Sequence, residues 1–467
     1  MSVDEARLRG SFCDVDQGHV FRFWDDLSSD ERQRLLEQLD AVELDRLQGL
    51  IERHLAERPD DSPPQLEPAE VFGLGESPDE RARRQRWRRV GEEALARGEL
   101  AVMIVAGGQA TRLGFDAPKG TYPITPVTHK SLFQLHVEKV QALRQRFGGS
   151  VPLILLVAPH NHSATREFFE RQRYFGLDEE DVWFVEQGVL PAVDRDGRLL
   201  LAQKGSLFLS PDGHGGLYRA LDRSGTYERL LEQGARSLFY LQVDNPLVRV
   251  GDPTFLGMHL EEESQFSLKV CRKRDASEKV GVFARVNGHP GVVEYSDLPE
   301  EIRSREHAGE LWLGAGSIGI HILDLEFMRE VVAQEDSLPF HMARKRVPSL
   351  NDAGELLNPG EPNGLKFESF VFDALTLAKK AAAMEVRREE EFAPVKNHEG
   401  EDSPATALRA LSELYRNWLL RSGISLGEQA GADHLFEIGP LFALDEQELV
   451  ERIQKQDLSN ARRLLFD

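Results

Sequence analysis

Apolar runs alternate with amphipathic stretches through the middle of the chain, and each change of period marks an expected element. Leu100–Ala106 and Pro152–Pro159 are nearly unbroken apolar runs, the pattern of parallel strands buried on both faces. Asp181–Glu186, Ser237–Asp244, Phe266–Cys271, Val280–Val286 and Ala383–Arg387 read as further strands, and the Val280 run meets a hairpin turn at Asn287-Gly288. Ser131–Arg146, Phe168–Phe175 and Phe370–Lys379 space their apolar residues as helices do. Strand and helix in alternation predict right-handed crossovers onto a mainly parallel sheet, so the expected class is α/β.

The flanks read differently. Leu35, Leu36, Leu39, Leu47, Leu50 and Ile51 make 19–56 helical, with Ser28–Glu31 and Asp40–Glu43 at capping-box spacing. Arg58–Pro68, rich in proline and acids, reads as an extended connector. Ser77-Pro78-Asp79-Glu80 opens a helix, whose arginines from Arg81 to Arg89 are expected to form a solvated face. Ala407–Leu420 is a helix that begins a small terminal part.

A formal net charge of −22 argues against general binding to nucleic acid or anionic membrane. Cys13 and Cys271 offer neither metal-ligand spacing nor a disulfide framework. The N-terminus has no signal-peptide core and no apolar run reaches transmembrane length, so a cytoplasmic protein is expected. Oligomeric state stays open.

The chemistry concentrates after the first strand. Gly107 and Gly108 let backbone N–H groups approach an anion, and Arg112 and Lys119 add a forked donor and a point charge suited to polyphosphate. The spacing fits neither the lysine-terminated phosphate loop nor the dinucleotide fingerprint. Pro211-Asp-Gly-His-Gly-Gly216 is a second glycine-rich loop, in which His214 can donate to a sugar or phosphate. Asp244 ends a strand where a carboxylate can hold Mg²⁺ together with substrate phosphates. Glu294 and Tyr295 lie in a strand-like stretch. Lys366 and Lys396 stand in apolar settings, as snorkelling side chains or phosphate partners. No nucleophile motif supports covalent catalysis.

These segments resemble the UDP-sugar pyrophosphorylases, and within them the UDP-N-acetylhexosamine pyrophosphorylases. The matching stretches run in order: Val105–Gly114 with Pro118-Lys119-Gly120, Glu186-Gln187-Gly188 with Leu190-Pro191, Pro211–Ala220 and Val243-Asp-Asn245. Then come Gly291–Ser296, Leu338–His341, Asn363–Lys366, Phe370–Asp373 and Glu391–Asn397. The resemblance implies a Rossmann-like nucleotidyltransferase domain over 99–400, between a helical region 1–98 and a small domain 401–467. It also implies the reaction of UTP with a sugar 1-phosphate, giving a UDP-sugar and pyrophosphate with Mg²⁺. Val105, Ala106, Gly107, Gly108, Lys119, Gln187, Gly213, Asp244 and Lys366 fall on the family's UTP positions. His214, Glu294, Tyr295 and Lys396 fall on its sugar-phosphate positions, and Arg112 on that of the loop arginine that meets the triphosphate.

Three positions depart from the pattern. Ala110 replaces a glycine and is expected to be tolerated. His214 replaces the asparagine of the acetylhexosamine branch and matches the histidine of the glucose branch. Ser317 takes the place of a sugar-reading asparagine. N-acetylglucosamine 1-phosphate is the expected acceptor, with glucose 1-phosphate or another hexose 1-phosphate as alternative. A nucleotide-sugar-binding regulator without turnover is the alternative from a different class.

Overall fold

The computed structural model describes residues 4–56, 64–334, 338–424, 426, 434–454 and 465–466. Two compact units emerge, both assembled from non-contiguous segments, which no linear partition of the chain expresses. The expected linear regions 1–98, 99–400 and 401–467 therefore stay a proposal about function.

The larger unit (Gln65–Glu186, Tyr218–Glu335, Ala374–Asp467) is built on a sheet of ten strands among the described residues. Toward one edge it runs Ser237–Gln242, Leu100–Val105, Leu153–Val157, Val182–Glu186, all parallel. Ala315–Asp324 joins antiparallel beside Ser237–Gln242, and also pairs with Phe266–Arg272, which in turn runs parallel to Ala381–Glu385. Leu100 to Ile104 and Leu153 to Val157 are at 0% exposure, because helices cover the sheet there as continuous apolar runs require, whereas Val182–Glu186 leaves Glu186 exposed. Ser77 caps the Pro78–Ala96 helix in a complete capping box, and Ser131 caps Leu132–Phe147. Asn287 and Gly288 both have positive φ, which a tight hairpin turn of this hand needs. The C-terminal helix Pro404–Arg421 buries Ala407, Leu411, Tyr415 and Leu419 in the same core as the parallel strands.

The other unit (Met1–Pro64, Gln187–Leu217, Asp336–Asp373) packs helices Glu5–Asp14, Ser29–Asp40 and Leu44–Ala56 around short strands. Leu8, Phe12, Leu35, Leu39 and Leu47 share a core with Val193, Leu201, Leu365 and Phe367. Three strands, Val193–Asp194, Gly364–Glu368 and His341–Lys345, form one antiparallel sheet.

Several expectations need correction. Ser28–Glu31 forms its capping box, but Asp40 is the last residue of a helix and pairs with Arg7, so no box forms with Glu43. The Phe168–Phe175 helix is displaced to His162–Arg171, followed by a turn in which Tyr174 and Phe175 take positive φ. Phe370–Lys379 contains only the 3-10 turn Val371–Thr376. The strand before Glu294 ends at Val293. The arginine face is only partly solvated: Arg84 donates to Gly73 O and Glu385 O, Arg88 pairs with Asp445, and Arg83 stacks on Trp87. Most of the Arg58–Pro68 connector lies outside the described residues, though Leu66–Pro68 adds an edge strand to the large sheet. Among the described residues, no helix is long and apolar enough to cross a membrane.

Candidate active site

Within the larger unit, the loop after the first strand is closed on itself. Lys119 N donates to Gly108 O at 3.2 Å and Ala110 N to Ala117 O at 3.1 Å. A Cβ at Gly108 meets nothing within 4 Å, so packing does not demand glycine there; the vacant space suits a ligand approaching the backbone. Gly120 is different, since a Cβ would lie 2.3 Å from the Phe133 ring. Ala110 sits at φ −90°, where a Cβ costs nothing, which explains why alanine is tolerated. Arg112 is exposed on the 3-10 turn Thr111–Leu113.

Lys119 Nζ donates to Asp244 Oδ2 at 2.8 Å, the side chains 17% and 10% exposed. Asp244 follows Ser237–Gln242, the strand beside Leu100–Val105, so two adjacent parallel strands deliver the pair at their carboxyl ends. The Asp244–Asn245 turn is fastened to the segment that carries Lys396. Val395 N donates to Asp244 O at 2.9 Å, Asn245 Nδ2 to Glu391 O at 2.7 Å, and Ala393 N to Asn245 Oδ1 at 3.1 Å. Behind this staple, Lys269, fully buried, donates to Asp252 at 2.8 Å and to both oxygens of Glu391 at 2.6 and 2.7 Å. On the other side, Lys139 Nζ donates to Pro246 O and Val248 O at 2.6 and 2.8 Å. A Cβ at Gly114 would reach the His398 ring at 3.6 Å, so the Arg112 loop neighbours the Lys396 segment.

Ser317 and Glu294 flank one residue. Ser317 N donates to Gly281 O at 2.8 Å, and Glu294 Oε1 lies 3.4 Å from where a Cβ on Gly281 would stand. Tyr295, half-buried, follows in the turn.

The smaller unit holds the second glycine-rich loop. Gly213 has φ +85° and ψ 166°, and a Cβ would fall 2.2 Å from Ser369 O, so only glycine fits. Gln187 Nε2 donates to Gly213 O. His214 stacks on Phe370 at 5.2 Å, and its Nδ1 accepts from Val371 N at 3.0 Å. Burial, with His341 nearby, pushes the His214 pKa down to about 4, so the ring is neutral with its proton on Nε2, a fixed donor. Lys366, on Gly364–Glu368, is half-buried with Nζ 4.8 Å from the Phe208 ring; burial lowers its pKa.

The structure thus joins Lys119 to Asp244, Asp244 to the Lys396 segment, Ser317 to Glu294, and Gln187 to Gly213 and His214. Arg112 is brought near by its loop alone. The sequence reading did not single out Asn245 or Lys269 for any role, because their partners lie up to 148 residues away.

A mainly parallel sheet with a glycine turn, a lysine and an acid at adjacent strand ends defines a nucleotidyltransferase of the Rossmann-like kind. The family profile described as UTP–glucose-1-phosphate uridylyltransferase matches residues 80–423, and the chain belongs to that family. It is 38% identical over 455 residues to UDP-N-acetylhexosamine pyrophosphorylase-like protein 1 of Xenopus tropicalis, covering 92% of this chain and 87% of the relative. The UDP-N-acetylglucosamine pyrophosphorylase of Saccharomyces cerevisiae is 33% identical over 431 residues, covering 88% and 90%. The crystal structure of the uridine diphosphate N-acetylglucosamine pyrophosphorylase from Trypanosoma brucei aligns with a TM-score of 0.85 at 28% identity, covering 100% of this chain and 98% of that one.

Proposed function

We propose that this chain transfers the uridylyl group of UTP to N-acetylglucosamine 1-phosphate and releases pyrophosphate. The observation that carries the reading is the Lys119–Asp244 pair, held at the ends of neighbouring parallel strands and stapled to the Lys396 segment. Relatives that share most of the chain's length and bear the name UDP-N-acetylglucosamine pyrophosphorylase favour this acceptor.

A phosphate oxygen of the sugar 1-phosphate attacks the α-phosphorus of UTP. The new P–O bond forms as the bond to the bridging oxygen breaks, and the electron pair leaves with pyrophosphate. Both reactants are anions, so positioning and charge neutralisation dominate. Val105, Ala106 and the backbone of Gly107 and Gly108 hold the nucleotide, assisted by Gln187, Gly213 and Lys366. Arg112 and Lys119 neutralise the triphosphate and Lys396 the sugar phosphate. His214, Glu294, Tyr295 and Ser317 read the sugar.

Among the described residues, no group of three or more His, Cys, Asp or Glu side chains is arranged to hold a metal ion. A lone carboxylate at Asp244 fits Mg²⁺, which takes one or two carboxylates and completes its shell with phosphate oxygens and water. Bound there, Mg²⁺ supplies neutralisation of the phosphate charge. Lys119, on turning to UTP, frees Asp244 for that role.

Pyrophosphate release across a panel of sugar 1-phosphates tests the reading. N-acetylglucosamine 1-phosphate is expected to exceed glucose 1-phosphate in kcat/KM by at least about tenfold, the worth of one good polar contact. A glucose preference, for which His214 as a fixed donor and the short Ser317 speak, would move the chain to the second reading. UTP binding without turnover of any sugar phosphate would favour a regulator.

A further inference from the structure

Leu100–Val105 is flanked by Leu153–Val157 on one side and Ser237–Gln242 on the other, both parallel to it. Along a parallel ladder, an N–H given to the neighbouring strand is followed by a carbonyl that accepts from it. Toward Leu153–Val157, Ala106 N donates to Leu156 O at 2.8 Å, so the next rung would run from Ala158 N to Ala106 O. Toward Ser237–Gln242, Val243 N donates to Val105 O at 3.1 Å, so the next rung would run from Gly107 N to Val243 O. Neither rung is made, and a buried side chain takes its place on each side.

On the first side the carboxamide of Asn161, 0% exposed, is inserted between the strands. Its Oδ1 accepts from Ala158 N at 3.0 Å and its Nδ2 donates to Ala106 O at 2.9 Å. Both groups of the missing rung are thus satisfied while an amide's width holds them apart. On the second side His136, also 0% exposed and borne on Leu132–Phe147, donates from Nε2 to Val243 O at 3.1 Å. A carbonyl only accepts, which puts the ring proton on Nε2. Val243 O is thereby occupied, and Gly107 N has no hydrogen bond with any described residue.

The direction of that N–H follows from the peptide plane, since in a trans peptide the C=O and the N–H point opposite ways. Ala106 O faces Asn161 on the Leu153–Val157 side, so Gly107 N–H faces the Ser237–Gln242 side, from which Asp244 meets Lys119. Gly107 is partly exposed, so a ligand can reach the donor. An unbroken ladder would have spent this N–H inside the sheet.

We propose that Asn161 and His136 are positioning residues for nucleotide binding: they stop the ladder one rung early on either side of Ala106 and leave Gly107 N–H to donate to an oxygen of UTP. The identity of the nucleotide rests on the uridylyltransferase reading above. Neither side chain touches the nucleotide; each acts through the backbone.

The test measures the Kd for UTP by calorimetry, without sugar phosphate, in full-length wild type, N161L, H136L and H136Q. N161L removes the inserted carboxamide, and H136L leaves Val243 O free to recapture Gly107 N–H. Each should weaken UTP by about tenfold, the worth of one sheltered hydrogen bond, with KM for the sugar 1-phosphate at saturating UTP changed less than about twofold. H136Q sets an amide N–H near the place of Nε2 and should bind UTP within about threefold of wild type. Both leucine variants lower the urea midpoint whichever role the residues play, so the UTP-specific loss and its rescue by glutamine decide. Unchanged UTP affinity in the leucine variants, or equal losses for UTP and sugar phosphate with no recovery in H136Q, would overturn the proposal. Inhibition by uridine and by inorganic tripolyphosphate locates the acceptor: weakening of the first alone assigns it to the nucleoside, of the second alone to a phosphate, and weakening of neither counts against the proposal. Wild type that binds UTP but turns over no sugar 1-phosphate would fail the uridylyltransferase reading and leave the proposal standing. Leucine variants with unchanged UTP affinity in an active enzyme would do the reverse. Should N161L not fold, the H136L and H136Q pair decides.

Discussion

Replacing Lys119 with methionine removes one half of an ion pair whose members meet at 2.8 Å and are 17% and 10% exposed. Asp244 would keep its backbone ties to Val395 but lose its cation. Breaking a fully buried pair costs about 3–5 kcal/mol, and the remaining water access here reduces that to about 2 kcal/mol. D244N should cost a similar amount by stranding Lys119. The double variant K119M/D244N leaves neither charge unpaired, so its urea midpoint should return close to wild type. Activity should behave differently. Loss of one cation aimed at phosphate charge in a sheltered site lowers kcat by roughly 100- to 1,000-fold, and the double variant should recover none of it. Urea unfolding followed by tryptophan fluorescence, beside a coupled pyrophosphate assay, measures both. The reasoning is refuted if the single variants keep wild-type stability, if their losses simply add in the double variant, or if activity returns together with stability.

N245L removes both side-chain hydrogen bonds of the staple and should destabilise the protein by about 2–3 kcal/mol in urea. In a K396A background, N245L should lower kcat/KM for the sugar phosphate no further, because Asn245 acts through the segment that bears Lys396; multiplied losses would contradict this. The His214 pKa of about 4 lies below the ordinary 6.5, so between those values the unfolded chain binds the extra proton. Stability should therefore fall as pH drops from 6.5 toward 4, by up to about 3 kcal/mol from this residue, and H214N should flatten that limb in denaturation measured across pH. His136 and His259, both pushed by burial to about 3, extend the loss to lower pH.

The parallel centre of the sheet was legible because strands enclosed on both faces must be apolar throughout, as Leu100–Val105 and Leu153–Val157 are. Ser77 announced its helix because the cap, the proline and the acids are all local. Ser28–Glu31 and Asp40–Glu43 have the same spacing, and only the first caps a helix. Spacing cannot tell a helix start from a helix end when Arg7, 33 residues away, claims the Asp40 carboxylate. The smaller unit escaped the sequence because its pieces are far apart and its strands only two to five residues long, too short for a period to register. Within the site, the glycine turn, Lys119 and Asp244 were readable as chemistry, whereas their direct pairing was not.

The central claim is direct transfer between two anions neutralised in one site. A single turnover with UTP radiolabelled at the α-phosphorus and excess N-acetylglucosamine 1-phosphate tests it most directly. The account predicts that all label passes to the nucleotide sugar, with one pyrophosphate released per turnover and none of the label on the protein. Label retained on the protein, or consumption of UTP without a labelled nucleotide sugar, would contradict it.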